Sequence, residues 1–203
     1  MEREAPLPLS AVVLAGGQSR RLGTDKALLT FNGRTLLAAT IETLRPLFQE
    51  VIVVSNQPQA HAHPASRLVG DVFPGKGSLG GIYSGLVAAG APHCLVVACD
   101  MPFLNAGVIR YMASLASDAD VVIPRLAANV EPLHAIYAKT CLPHMRQLLD
   151  EGNLKIIDFF PKVRVRYVEA SELAPWDPDH RAFMNINTPQ DLARVMALLQ
   201  GKR

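Results

Sequence analysis

Cysteine is scarce. The 203 residues hold three, Cys94, Cys99 and Cys141. An odd count in a chain long enough to stabilise itself by burial does not describe a disulfide scaffold, and a reducing compartment is expected. An excess of either charge is also missing. Lys plus Arg number 20 against 18 Asp plus Glu, a balance that offers no general attraction for nucleic acid. No uninterrupted apolar run approaches the roughly 20 residues of a membrane span. The opening MEREAPLPLS is charged and broken by proline, unlike the apolar centre of a secretory signal. These absences predict a soluble cytoplasmic protein with neither a nucleic acid nor a membrane as partner. Repeats, low-complexity tracts and linkers are lacking as well, and the length predicts one domain over 1–203.

What the chain has is a series of short apolar bursts. AVVLAGG (11–17), EVIVVSN (50–56), CLVVACD (94–100) and DVVIP (120–124) read as buried strands that run into glycine, Asn, Asp or Pro. RLVGDV (67–72) reads as a short third strand. Between them, Leu36, Leu37, Ile41 and Leu44 recur at helical spacing. GKGSLGG opens a helix carrying Leu86 and Val87, and another helix is expected from about Asn105 to Leu115. Strands apolar throughout and alternating with helices indicate an α/β fold: a three-layer α/β/α arrangement on a mainly parallel, Rossmann-like sheet. The part after Arg125 is less regular. EPLHAIY (131–137) fits an edge or an antiparallel strand, Cys141–Glu151 and Leu154–Phe160 fit helices, and VRVRYVEA alternates again. A last helix is announced by Thr188 as N-cap, Pro189 in the first turn and Asp191 three residues after the cap.

In an open parallel sheet, ligands bind beyond the carboxyl ends of the strands. On this reading that edge gathers the glycines after Leu14, Asn56, Asp71, the loop from Gly75 to Gly81, and Asp100. LAGGQSRRLGTDK (14–26) places exposed backbone amides and three cations, Arg20, Arg21 and Lys26, in one long loop, an arrangement that suits an anion. Asp100, at the end of a buried strand, is the best metal candidate. One rigid carboxylate plus substrate phosphates suits magnesium, which keeps several waters. Asn185 and Asn187 flank Ile186 just before the capped helix.

Other patterns carry less. GDVFPGK (70–76) begins like a Walker A motif, but Gly77 stands where the magnesium-holding Ser or Thr is required. Gly75, Gly77 and Gly80 spell G-x-G-x-x-G with Asp100 twenty residues on, yet Phe73-Pro74 separate the strand from the first glycine. His61 and His63 lie in a loop with no third ligand and read as surface residues. His134 reads equally as a packed histidine or a ligand contact. Cys94 and Cys99 face opposite sides of a strand, so no zinc site follows, and the G-x-S-x-G elbow of serine hydrolases is absent. The residues alone leave open an anion site built from the basic loop and Asp100, a dinucleotide-dependent oxidoreductase using the Gly75 loop, and a non-catalytic nucleotide-binding or partner-docking module.

LAGGQSRRLGTDK resembles the N-terminal signature of the molybdenum cofactor guanylyltransferases, within the larger nucleotidyltransferase family. GSLGG (77–81) is similar to that group's second glycine loop, often written with Pro where this chain has Ser78 and Ala where it has Gly80. CDMP (99–102) resembles its metal-binding aspartate motif, and NINTPQDL (185–192) its C-terminal signature. The matches run in order over nearly the whole chain. The resemblance implies a sheet of the nucleotide-diphospho-sugar transferase type. It also implies transfer of GMP from GTP, with Mg2+, to the terminal phosphate of Mo-molybdopterin. Its implied GTP site comprises Leu14, Ala15, Gly16, Gly17, Lys26, Asn56, Asp71, Gly77, Gly80 and Asp100. Arg21, Lys26 and Asp100 are the implied catalytic residues, Asp100 the implied metal ligand, and Asn185 and Asn187 the implied pterin contacts. Transient contact with cofactor-delivery proteins or acceptor molybdoenzymes is implied by family alone. Related enzymes that transfer CMP to molybdopterin, or nucleotides to sugar phosphates, share the scaffold. The double glycine Gly16-Gly17 resembles the guanylyl group.

Overall fold

Val12 and Val13 are adjacent and both wholly buried. Successive strand side chains point to opposite faces, so such a strand needs cover on two sides. The computed structural model describes residues 5–15, 25–31, 33–199 and 201. Strand β1 (Ser10–Leu14) is followed by a small hairpin of β2 (Thr30–Phe31) and β3 (Arg34–Thr35), then α1 (Leu36–Leu44), β4 (Val51–Val54) and the single turn α2 (Pro58–His61). Next come β5 (Arg67–Val69), α3 (Gly77–Ala88), β6 (His93–Ala98), α4 (Ala106–Ser114), β7 (Val121–Leu126), β8 (Asn129–Val130) and β9 (His134–Ala138). The chain continues through α5 (Leu142–Asp150), β10 (Val165–Glu169), α6 (Ala170–Leu173) and α7 (Pro189–Leu199).

The main sheet has the order β10-β7-β9-β6-β1-β4-β5, with β8 paired to β7. Pairings β1–β4, β1–β6, β4–β5 and β7–β10 are parallel, while β9 runs antiparallel to both of its neighbours, β6 and β7. Val13 packs with Leu37 and Ile41 of α1 and with Val108 and Met112 of α4. Val12 packs on the other face with Leu79, Ile82 and Leu86 of α3 and with Met145 of α5. Helices thus cover both faces, as the apolar runs predicted. At Gly85 a Cβ would lie 2.3 Å from Val12 Cγ1, so glycine is what lets α3 approach β1 so closely.

Local signals placed the helix starts well. Asn105 Oδ1 accepts from the Gly107 and Val108 amides at 2.8 and 3.2 Å. Thr188 Oγ1 accepts from Asp191 N, and Asp191 Oδ2 accepts from Thr188 N at 2.9 Å, the reciprocal cap that the sequence indicated. The 131–137 segment yields an antiparallel strand, the second of the two arrangements expected, and it lies inside the sheet. One expectation needs adjustment: Leu154–Phe160 becomes a 3-10 stretch over Ile156–Lys162 with Pro161 inside it. Proline removes a donor and clashes with the preceding turn, which disfavours an α-helix there. No helix among the described residues is long and apolar enough to cross a membrane.

Chain direction across the sheet locates the site. From β1 the chain steps outward to β4 and β5, then returns to the opposite side of β1 as β6. That reversal opens a crevice at the carboxyl ends of β1 and β6, where Leu14 pairs with Ala98.

Candidate active site

The strand ladder runs one residue past the crevice before the chain turns away. Ala15 N donates to Val54 O at 3.1 Å and Cys99 N to Leu14 O at 3.2 Å. Asp100 therefore leaves the sheet from a fixed point. A cavity of about 930 Å³ opens there, reached by Leu14, Ala15, Asn56, Asp71, Gly77 and Asp100, with Lys26, Asn185 and Asn187 on its wall.

Three distant parts of the chain meet at one ammonium group. Lys26 Nζ donates to Asp100 Oδ2 and to Asn187 Oδ1, each at 2.7 Å. The Lys26 and Asp100 side chains are 16% and 14% exposed, sheltered enough that water screens the pair only in part. Asn187 is brought in by its neighbour: Ile186 is wholly buried against Leu36 and Val195, and its amide donates to Asp100 O at 3.1 Å. Asn185 also lines the cavity, its amide reaching Phe183 O at 3.5 Å.

A second polar pair sits at the β4–β5 side. Asn56 Nδ2 donates to Asp71 Oδ2 and Asn56 Oδ1 accepts from Asp71 N, both at 2.9 Å. Asp71 Oδ1 is buried and has no hydrogen-bond partner among the described residues. Burial pushes the Asp71 carboxyl above the usual carboxylate range, and the Asn56 amide offsets this only in part. A ligand N–H would relieve that oxygen, because a buried acceptor left unpaired costs about 1–3 kcal/mol. Glu131, also on the wall, is likewise pushed up by burial alone.

Among the described residues the wall carries four carboxylates, Asp25, Asp71, Asp100 and Glu131, against the single cation Lys26. Anionic phosphates need more positive charge than that. The sequence supplies Arg20 and Arg21 between Ala15 and Asp25. These two arginines, with Gly16 and Gly17, lie outside the described residues. No group of three or more His, Cys, Asp or Glu suited to a metal occurs among the described residues. A divalent ion would therefore have one rigid protein carboxylate, Asp100, and would complete its shell from phosphate oxygens and water. That donor set fits a hard cation such as magnesium and does not fit zinc.

Most residues proposed from sequence converge on this cavity, with two differences. Gly80 is buried away from it: a Cβ there would meet Phe73 O and Lys76 Cβ at 3.0 Å. Gly77 lines the wall as expected, joined by Ser78 and Gly81. His61, expected on the surface, is 1% exposed. Its Nε2 lies 2.9 Å from Asp25 Oδ2 and its Nδ1 2.6 Å from Ser55 Oγ. Nothing local in the sequence announced this, since Asp25 is 36 residues away. His134 proves to be packed, wholly buried with its ring 4.8 Å from Phe183. The three cysteines are free and buried, and burial pushes each thiol up to about 12, so none serves as a ready thiolate.

The family model described as the MobA-like NTP transferase domain matches residues 11–165. A Pelotomaculum thermopropionicum protein named "Probable molybdenum cofactor guanylyltransferase" is 40% identical over 97% of this chain and 96% of its own. The molybdenum cofactor guanylyltransferase of Desulfosudis oleivorans is 34% identical over 96% and 98%. Among solved structures, molybdopterin-guanine dinucleotide biosynthesis protein A from Archaeoglobus fulgidus superposes with a TM-score of 0.85. It is 29% identical and covers 95% of this chain and 100% of that one.

Proposed function

The chain belongs to the MobA-like NTP transferase family, and from that premise we propose that it transfers GMP from GTP to the terminal phosphate of molybdopterin carrying molybdenum, releasing pyrophosphate. The observation that carries this reading is the junction of Lys26 with Asp100 and Asn187. It puts a cation, a candidate metal ligand and the C-terminal signature at one point of the cavity.

The chemistry is in-line attack by a pterin phosphate oxygen on the α-phosphorus of GTP. Two phosphate charges about 5 Å apart at an effective dielectric near 20 repel by roughly 3 kcal/mol. The N-terminus of α3, whose residues Gly77 and Ser78 line the cavity, offsets about 0.3–2 kcal/mol of this. Lys26 and the arginines of the preceding loop must offset most of the rest. Asp100 would hold magnesium, which when bound neutralises charge on the transferring and leaving phosphates. No side chain has to act as general base, since a phosphate monoester loses its second proton near pH 6 and is already ionised at neutral pH. Catalysis then consists of positioning and charge neutralisation.

Asp71 and Asn56 would read the base. The unpaired Asp71 Oδ1 suits the N–H donors of guanine, which cytosine and uracil do not present in the same pattern. Asn185 and Asn187 would face the pterin substrate.

The test is pyrophosphate release by the purified chain given magnesium, Mo-molybdopterin and GTP, CTP or UTP in turn. Release with GTP well above the other two is expected. A preference for CTP would instead assign cytidylyl transfer, and activity only with sugar phosphates would overturn the pterin acceptor.

A further inference from the structure

The mechanism above uses Lys26 and leaves unexplained the buried polar chain behind it. His61 ends α2, and its ring joins two carriers: Asp25, which precedes Lys26, and Ser55, which follows β4. Gln57 N donates to Ser55 Oγ at 3.0 Å. One donor direction then satisfies every atom: Gln57 N–H to Ser55 Oγ, Ser55 O–H to His61 Nδ1, and His61 Nε2–H to Asp25 Oδ2. The sequence serine–histidine–acid is that of hydrolase triads. Nucleophilic use is excluded here because Ser55 is 4% exposed and does not reach the cavity wall.

We propose that His61 is a positioning residue for Lys26, acting through Asp25; this rests on the phosphate-gripping role given to Lys26 above. Both oxygens of Asp25 are committed. Oδ2 is held by His61, and Oδ1 accepts from Ala27 N at 3.0 Å, capping the 3-10 turn Lys26–Leu28. Asp25 is thereby pinned between a buried ring and the turn that bears Lys26. A lysine side chain is flexible and ends in a point charge, so its productive reach depends on where its backbone is fixed. The same chain ties the turn to Ser55, the residue before Asn56. The two polar ends of the cavity, Lys26 and the Asn56–Asp71 pair, therefore share one rigid strut. Misplacing a catalytic group by about 1 Å costs on the order of 100-fold in rate, so a buried strut directly behind Lys26 bears on turnover.

The test compares full-length wild type, His61→Leu, His61→Gln, Ser55→Ala and Lys26→Ala, together with His61→Leu placed in Lys26→Ala. His61→Leu is expected to lower kcat/KM for GTP by about tenfold, and His61→Gln, whose amide still donates to Asp25, to recover part of that. Placed in Lys26→Ala, the same leucine is expected to cost less than about twofold, because residues that act as one unit are not additive. A loss that carries over in full to the Lys26→Ala background, or wild-type kcat/KM in a folded His61→Leu protein, would overturn the proposal. If His61→Leu does not fold, Ser55→Ala and His61→Gln are put through the same cycle. Hydrogen exchange of the Ala27 amide gives a readout that needs no turnover. Faster exchange in the His61 variants is expected, and unchanged exchange counts against the strut. A wild type inert towards GTP would remove guanylyl transfer and leave that exchange comparison to decide the strut alone.

Discussion

Lys26 Nζ and Asp100 Oδ2 lie 2.7 Å apart although 74 residues separate them in the chain. The pair joins the turn after β1 to the end of β6, across the crevice where strand order reverses. Its net contribution to stability is modest, because the cost of desolvating two largely sheltered charges offsets much of their attraction. Its chemical consequence is larger, because nucleotide phosphates and a metal would each take up one member of the pair.

Asp100→Ala should therefore abolish magnesium-dependent pyrophosphate release while changing the thermal midpoint little. Loss of a donor or ligand to developing charge costs about 10²–10³ in kcat. Steady-state assays across a magnesium titration check this. Turnover that still saturates with magnesium in Asp100→Ala would remove Asp100 as the metal ligand.

Lys26→Ala should cost about 2–3 kcal/mol of transition-state stabilisation, read from kcat/KM for GTP. It also leaves Asp100 and Asn187 without their shared donor. The phosphates then lose the single cation among the described wall residues, so KM for GTP should rise along with the fall in kcat. A change confined to stability would show that the ammonium group is a strut and not a phosphate ligand.

Asp71→Asn separates function from stability. Asp71 has a folded-state pKa raised by burial. The folded state thus holds its proton to higher pH than the unfolded state does, and stability falls as pH rises through the window between the two values. Above that window the ionised Asp71 burdens the fold. Asp71→Asn should raise the thermal midpoint near neutral pH without nucleotide, and flatten the dependence on pH in the acid range. It should also narrow the GTP preference over CTP, measured as the ratio of kcat/KM values, since a site built to pair a ligand N–H discriminates through that unpaired acceptor.

The fold was legible wherever burial is continuous along the chain. Val12-Val13, Ile52-Val53 and Val96-Val97 are wholly buried pairs, and only a sheet covered on both faces accommodates them. Helix starts at Asn105 and Thr188 were legible because their caps are local. The place of β9 was not, since alternation in 131–137 states that one strand exists and says nothing of its neighbours. The site divided along the same line. Asp100 stood out as an acid ending a buried strand, whereas His61 gave no sign of burial because its partners come from the turn after β1 and the end of β4. Gly80 came from the likeness of GSLGG to a glycine loop, which does not say which glycine faces out; one step along α3, Gly81 and not Gly80 turns towards the cavity.

His134 offers a test of the packed core from a residue that does not itself line the candidate site, as its ring rests on Phe183 and neither ring nitrogen makes a hydrogen bond within the described residues. Burial pulls its pKa down to about 4, and the nearby Asp177 charge opposes that fall only in part. The unfolded chain takes up a proton near the ordinary histidine value of about 6.5, whereas the folded protein refuses it until about 4. Between those values the unfolded state binds more protons, so stability is lost as pH falls through that range. Two to three pKa units correspond to about 3 kcal/mol if fully expressed. His134→Leu removes the titrating group and two unpaired buried nitrogens, at a similar volume. Urea unfolding of wild type and variant at pH 7 and at pH 4.5 is expected to show a smaller acid loss in the variant. An equal loss in both would mean that the wild-type ring is protonated in place, with a partner that the packed arrangement does not contain.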